Sequence, residues 1–187
     1  MTDDDQAKKK NPLGPTGRTV ADNIKRLRDG VSYVELADRL AQIGRTIPTL
    51  GLRKIESYER RVDADDLVAL AVALDVSPVT LLMPNTDDRS EVVEATAVAG
   101  HYPADDVWDW LRAEHPLKKP YTGPELLDFI GQATPAWRAR EFGEGVLQLL
   151  ELGRLERQLE QGGEVAATAQ RRLEELGRER GWSYGND

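Results

Sequence analysis

The chain has 187 residues, with 33 Asp or Glu against 25 Lys or Arg, so its net charge is −8. It contains no cysteine, which excludes disulfides, thiol catalysis and cysteine-based zinc sites. No apolar run approaches the roughly 20 residues of a membrane span, and the acidic N-terminus lacks the apolar core of a secretory signal. We therefore expect a cytoplasmic protein with no membrane partner.

The excess of acidic residues is confined to one part of the chain. Residues 84–187 hold twelve basic and twenty acidic residues, whereas residues 18–83 hold ten of each. Within residues 39–61, six Lys or Arg stand against two Glu, a local charge of +4. A basic face on an otherwise neutral domain is suited to nucleic-acid phosphates, and the acidic remainder discourages indiscriminate binding.

Residues 1–17 are too polar and too rich in Pro and Gly to form a core, and we predict a disordered tail. The alternative is an arm in which Lys8–Lys10 and Arg18 lie along DNA phosphates. A first helix is predicted from Val20 to Arg28, where apolar residues recur at helical spacing and Gly30 follows.

Four more short helices are predicted before residue 84 from their starting signals. Ser32 begins an S-x-x-E capping box at the start of the second helix. Thr49 opens the third after Pro48, Asp63 caps the fourth, and Ser77 followed by proline begins the fifth. Five short helices make a compact all-α domain with little room for a deep pocket.

The third helix carries the pattern with the clearest functional meaning. Leu52 and Ile55 lie three residues apart and give the helix a buried underside, which leaves Arg53, Lys54 and Ser57 on other faces. A short helix with an apolar underside and basic or small polar residues on top suits the major groove of DNA. Many surface helices share this pattern, so its meaning depends on the helices around it.

Three segments before residue 84 carry a pattern typical of one family: VSYVELADRL, IPTLGLRKIE and RRVDADDLVALAVALDVSPVTLL. They make residues 18–83 similar to the Xre-type helix-turn-helix family of phage repressor and Cro proteins. The resemblance implies a five-helix, repressor-like DNA-binding domain over residues 18–84.

The chain departs from the family pattern in two places. The segment from Leu40 to Ile55 is about five residues longer than a helix-turn-helix with its short turn requires, so either the second helix is extended or the turn is a loop. Tyr58 stands where a glycine commonly follows the third helix.

The resemblance implies that the start of the third helix reads bases and that neighbouring residues contact phosphates. The implied base contacts are Thr49, Leu50, Arg53 and Lys54. The implied phosphate contacts are Ser32, Tyr33, Arg45, Ser57, Arg60 and Arg61. Structural alternatives are a core position for Leu50, ordinary packing for Tyr33, and pairing of Arg60 and Arg61 with Glu56 or Asp63.

Residues 85–103 are predicted to form a polar, turn-prone linker, in which alternation over residues 91–98 permits a short strand. A short amphipathic helix follows over residues 104–114. Its Trp108 and Trp110 either anchor a partner or pack in a satellite core. The two histidines are isolated from each other, so we expect no metal site, and no feature calls for a cofactor.

Residues 104–180 are predicted to be a helical region for oligomerisation or partner binding. After the helix over residues 104–114, one helix follows Thr122 and ends at Gly131, a long one runs over residues 136–161, and a last one over residues 165–178. The imperfect heptads argue against a long regular coiled coil. The predicted oligomerisation seam consists of Phe142, Val146, Leu149, Leu152, Leu155, Leu159, Leu173 and Leu176.

No feature of the chain indicates an enzyme, because it lacks a phosphate-binding loop, a nucleophile elbow, a cysteine nucleophile and histidines at metal spacing. We predict a sequence-specific transcriptional regulator of bacterial or phage type, a repressor that binds double-stranded DNA as a homodimer. Two alternatives stay open. One is an antitoxin whose C-terminal helices bind a toxin, and the other is an interaction module that never touches DNA.

Overall fold

The computed structural model describes residues 13–180 and is mostly helical, with one two-stranded sheet. Contacts within the chain define two compact units, divided between Tyr121 and Thr122. The all-α prediction thus holds for most of the described residues. Of the disordered tail predicted over residues 1–17, residues 1–12 lie outside them.

Five helices that share one core form the greater part of the first unit. They are α1 (Pro15–Leu27), α2 (Tyr33–Gln42), α3 (Thr49–Glu56), α4 (Ala64–Ala73) and α5 (Pro78–Leu82). The fully covered side chains of this core include Ile24, Leu36, Leu52, Ile55 and Leu70. The buried underside predicted for α3 is therefore confirmed.

Helix α1 begins earlier than the sequence pattern indicated. Pro15 occupies its first turn, where the missing amide proton costs nothing and the fixed φ suits a helix. The Leu13 side chain lies over Gly17, so close that a Cβ there would be 2.7 Å from its Cδ1. The prediction of a disordered tail is therefore wrong for residues 13–17.

The three predicted N-caps of α2, α4 and α5 are confirmed. The side chains of Ser32 and Asp63 accept hydrogen bonds from the backbone amides three residues ahead, at 3.1 and 2.7 Å. Ser77 accepts one from the amide two residues ahead, at 3.3 Å. The carboxylate of Glu35, which would complete the capping box at Ser32, instead pairs with Arg39 at 2.6 Å.

The long connection between α2 and α3 is a loop over residues 43–48, and α2 is not extended. Gly44 ends α2 in the left-handed conformation, with φ of 82°. Ile47 is buried in the core, and Arg45 reaches a carboxylate on α4. These two anchors hold the loop in place despite its length.

Tyr58 takes the left-handed position at the end of α3 that glycine commonly fills, with φ of 63°. Its amide bonds to the Ile55 carbonyl at 3.0 Å, and the Glu59 amide bonds to the Lys54 carbonyl at 2.8 Å, as in a Schellman cap. The Tyr58 hydroxyl donates to Asp22 on α1 at 2.5 Å. This hydrogen bond offsets part of the strain of a positive φ at a residue other than glycine.

The fold contains a buried polar residue that the sequence analysis did not single out. Asn23 on α1 is 1% exposed, and its Nδ2 donates to the carbonyls of Thr80, Leu81 and Met83 at 3.2, 3.1 and 2.7 Å. Arg26 donates to its Oδ1 at 2.9 Å. Since the last carbonyls of a helix have no partner within it, Asn23 satisfies the end of α5 and joins it to α1.

Residues 85–103 include an antiparallel hairpin and are not a simple linker. Its strands are β1 (Val92–Ala95) and β2 (Val98–Pro103), with Val93 opposite Tyr102. The helix α6 (Ala104–Leu111) follows. Val93, Ala104 and Val107 form a small core with Met83, so α6 belongs to the first unit rather than to the C-terminal region. The alternation over residues 91–98 correctly indicated a strand.

Two threonines join the hairpin turn to the start of α1. The Thr96 amide donates to the Thr16 hydroxyl oxygen at 2.8 Å, and the Thr16 amide approaches the Thr96 hydroxyl oxygen at 3.4 Å. The hairpin is thereby attached to both ends of the five-helix core, through Met83 at one end and Thr16 at the other.

The second unit consists of α7 (Gly123–Ala133), α8 (Ala136–Glu160) and α9 (Gly163–Arg180). Thr122 and Glu125 form a complete capping box at the start of α7, which continues through Gly131 instead of ending there. The predicted break after residue 160 is present, with Gly162 and Gly163 at φ of 74° and 65°. None of the helices in residues 13–180 combines the length and apolar character that crossing a membrane requires.

Candidate nucleic-acid interface

Helix α3 presents a basic and partly apolar face above its buried underside. Arg53 and Lys54 are exposed, and Leu50 is 62% exposed, whereas Leu52 and Ile55 are fully buried. The alternative of a core position for Leu50 is therefore wrong. An exposed leucine beside two cations gives this face both an apolar contact and hydrogen-bond donors.

The first turn of α3 adds backbone donors to this face. Its N-cap residue is Pro48, which provides no side-chain hydrogen bond to the amides that follow. The first amides of a helix have no partner within the helix and attract anions or acceptors. Thr49, the first residue of α3, is half-buried at this end.

Arg45 and Arg60, two predicted phosphate contacts, meet at one buried carboxylate. Asp66 is 1% exposed and accepts from the Arg45 Nε and the Arg60 Nη2, both at 2.7 Å. The hydrogen bond to Asp66 raises the pKa of Arg45. A buried carboxylate requires such partners. The primary role of the two arginines is therefore to stabilise the contacts of the loop with α4. The structural alternative paired Arg60 with Glu56 or Asp63, but the carboxylate that it binds is that of Asp66.

The route of Arg60 to Asp66 depends on Gly51 in α3. A Cβ at Gly51 would lie 2.6 Å from the Arg60 Nη1 and 3.2 Å from the Ile47 Cγ2. The absence of a side chain at Gly51 therefore makes room for the guanidinium of Arg60 beside α3.

Tyr33, a third predicted phosphate contact, belongs to a cluster that joins α1, α2 and α3. Its hydroxyl donates to the Glu56 carboxylate at 2.7 Å, and Arg28 pairs with the same carboxylate at 2.7 Å. The guanidinium carbons of Arg28 and Arg53 lie 4.0 and 5.1 Å from the centre of the Tyr33 ring. The packing alternative for Tyr33 is thus the one the geometry supports.

The ionisation of this cluster follows from its hydrogen bonds. Burial raises the pKa of Glu56, but hydrogen bonds from Arg28 and Tyr33 outweigh it, and the net pKa lies below its usual value. The hydrogen bond to Glu56, together with burial, raises the pKa of Tyr33. Glu56 is therefore ionised and Tyr33 neutral at neutral pH.

The remaining predicted phosphate contacts differ in what their side chains already do. The Ser57 hydroxyl donates to Glu59 at 3.0 Å, so a carboxylate lies where a phosphate was expected. The Ser32 oxygen accepts the cap hydrogen bond and is exposed, which leaves its hydroxyl proton for another acceptor. Arg61 is exposed. Arg53 and Lys54 are the exposed cations of α3 itself.

Comparisons with family models, curated proteins and solved structures gave no match. The resemblance to the Xre-type family accordingly rests on the sequence segments quoted above. The roles it implies for α3 remain expectations, to be judged by the geometry and by experiment.

The predicted oligomerisation seam divides into a covered part and an exposed part. Leu155, Leu173 and Leu176 are buried between α8 and α9, and Leu152 and Leu159 pack against them. This part is the internal core of the hairpin rather than a surface. Val146 is half-buried, and Phe142 and Leu149 are 37% and 70% exposed. Leu147 and Leu150, which were not predicted, are exposed as well, at 68% and 64%.

Sequence reasoning missed the residues that act through distant partners. Arg28 binds Glu56, which lies 28 residues further along the chain. Asp66 binds Arg45 and Arg60, which precede it by 21 and 6 residues. No local spacing signals such pairs. Among the side chains that the structure describes, no three His, Asp or Glu are placed to hold a metal ion.

Proposed function

We propose that the protein is a sequence-specific DNA-binding regulator of transcription, a repressor, whose α3 enters the major groove. The observation that carries the proposal is the exposed trio of Leu50, Arg53 and Lys54 on a short helix with a fully buried underside. Arginine and lysine donate to guanine O6 and N7, and a leucine fits the methyl group of thymine. The net charge of zero over residues 18–83 leaves binding dependent on this face rather than on bulk charge.

Selection of bound duplexes from random DNA tests the proposal with the full-length protein. Arg53→Ala and Lys54→Ala should each weaken binding to the selected site by about 1–3 kcal/mol and relax the preference at one position. Arg171→Ala on α9 removes an exposed arginine of the second unit and is the matched control, expected to bind like wild type. No enriched sequence, or unchanged preference in both α3 variants, would sink the proposal.

We further propose that the second unit joins two copies of the chain. One DNA-binding domain of this size contacts few base pairs, and dimers of helix-turn-helix proteins bind two half-sites. Phe142, Leu149 and Leu150 leave an apolar surface on α8 that the hairpin core does not use. Such a surface also suits a protein partner, as in the antitoxin alternative.

Light scattering distinguishes the two roles of this surface. The wild-type chain should have twice its formula mass, and Leu149→Glu with Leu150→Glu should reduce it to the monomer. Gln132→Glu, an exposed change on α7, is the control for added charge. A monomeric wild-type chain at micromolar concentration would contradict self-association and favour a partner of another sequence.

A further inference from the structure

We infer that Tyr33 is a positioning residue, which holds the guanidinium of Arg53 ready for a base and does not itself contact phosphate. The inference rests on the proposed function. It concerns how one arginine of the reading face is oriented before DNA arrives.

The Tyr33 ring is fixed from two sides. Its hydroxyl donates to Glu56 at 2.7 Å, and Arg28 lies over the ring at 4.0 Å while pairing with the same carboxylate. Arg28 also donates to the Val31 carbonyl at 2.6 Å. The Glu56 and Arg28 side chains are only 5% and 18% exposed, so the ring contacts a largely buried ion pair.

Arg53 is the exposed member of the cluster. It lies on the exposed side of α3, and its guanidinium carbon is 5.1 Å from the ring centre. Among the described contacts, Arg28 and Arg53, and not Lys54, lie over this ring. A planar guanidinium stacks on an aromatic face while its N–H groups still point outward at the edge.

The position of Tyr33 has a consequence for recognition. An arginine in solution samples many rotamers and loses that freedom when it binds a base. A ring contact at an exposed site restricts the rotamers beforehand, and preorganisation of this kind improves affinity without a new contact to the ligand. The hydroxyl of Tyr33, already bound to Glu56, serves the ring and not a phosphate.

A double-mutant cycle on the full-length protein tests the inference with a duplex selected by wild type. Tyr33→Leu, which keeps apolar bulk but removes the ring, should weaken binding about two- to fivefold. In the Arg53→Ala background the same change should have no effect, because its only route is through Arg53. Tyr33→Phe, which retains the ring, should restore most of the affinity.

The Lys54→Ala background is the matched control, since Lys54 is exposed beside Arg53 but is not stacked. There Tyr33→Leu should cost the same two- to fivefold, about as in wild type. Equal losses in all three backgrounds would overturn the inference and return Tyr33 to a structural or phosphate role.

A second measurement does not require DNA. The Nε–H resonance of Arg53 should carry a ring-current shift that Tyr33→Leu removes and Tyr33→Phe keeps. An unshifted resonance in wild type would overturn the inference even if DNA binds. Failure to enrich any duplex would overturn the proposed function and this inference with it, whereas additive effects on a selected duplex would overturn the inference alone.

Discussion

Replacement of Asn23 by leucine is expected to destabilise the first unit more than any exposed substitution. The side chain is 1% exposed, and its two N–H protons serve three carbonyls at the end of α5. Leucine keeps the branched shape but has no donor, and a methyl group cannot lie as close to the Met83 carbonyl oxygen as the Nδ2 does at 2.7 Å, so the loss is both polar and steric.

The magnitude follows from how far water can reach each carbonyl. The bond to Leu81 is buried, and an acceptor left there without a donor costs about 1–3 kcal/mol. The bonds to Thr80 and Met83 are partly buried, and each contributes about 0.5–1 kcal/mol net because water can replace the amide. Together these contributions give an expected loss of about 2–5 kcal/mol in the free energy of unfolding.

Urea unfolding of the full-length protein, followed by circular dichroism, measures this loss. Asn85→Leu makes the same chemical change at an exposed asparagine and should leave the transition within about 0.5 kcal/mol of wild type. Asn23→Asp should be worse than leucine, because it places a carboxylate against three carbonyl oxygens. An Asn23→Leu protein as stable as the Asn85→Leu protein would refute the reasoning.

Three further outcomes test the interface and its supports. Replacing a contacted thymine by uracil should cost wild type about 0.8 kcal/mol of binding, the value of one methyl group, and cost Leu50→Ala nothing; an equal loss in both would remove Leu50 from the site. The lowered pKa of Glu56 means that its stabilisation is complete above about pH 4.3 and is lost as the pH falls through the folded-state value. Glu56→Gln should therefore lose less unfolding free energy than wild type between pH 7 and pH 3, and equal losses would contradict the assignment. Arg60→Ala should lower stability but keep the slope of log Kd against log salt, whereas a slope smaller by about 1 would restore Arg60 as a phosphate contact.

Local signals in the sequence predicted much of the secondary structure. Ser32, Asp63 and Ser77 cap the helices where their spacing indicated, because capping depends only on neighbours in the chain. The start of α1 is hard to predict because Pro and Gly in residues 14–17 are typical of disordered segments, although Pro in the first turn of a helix favours the helix. The hairpin after Asp88 falls in the predicted linker because its strands are short.

The candidate site was predictable in its exposed face but not in its supports. Helical spacing alone separates Arg53 from Leu52 and Ile55. It cannot show that Arg45 and Arg60 share one buried carboxylate, since ion pairs of this kind depend on how the chain folds back. A count of local charge therefore overstated the basic character of residues 39–61.

The threonine pair that joins α1 to the hairpin bears on where this protein can be cut. A fragment ending near Asn85 would keep all five helices yet expose Met83 and leave Thr16 without Thr96. The smallest fragment that keeps these contacts therefore ends at Tyr121 and includes the hairpin. A fusion protein that is to keep the DNA-binding unit intact should therefore be joined after Tyr121, between the two compact units. It should not be joined in the polar stretch after residue 84, where the composition first changes.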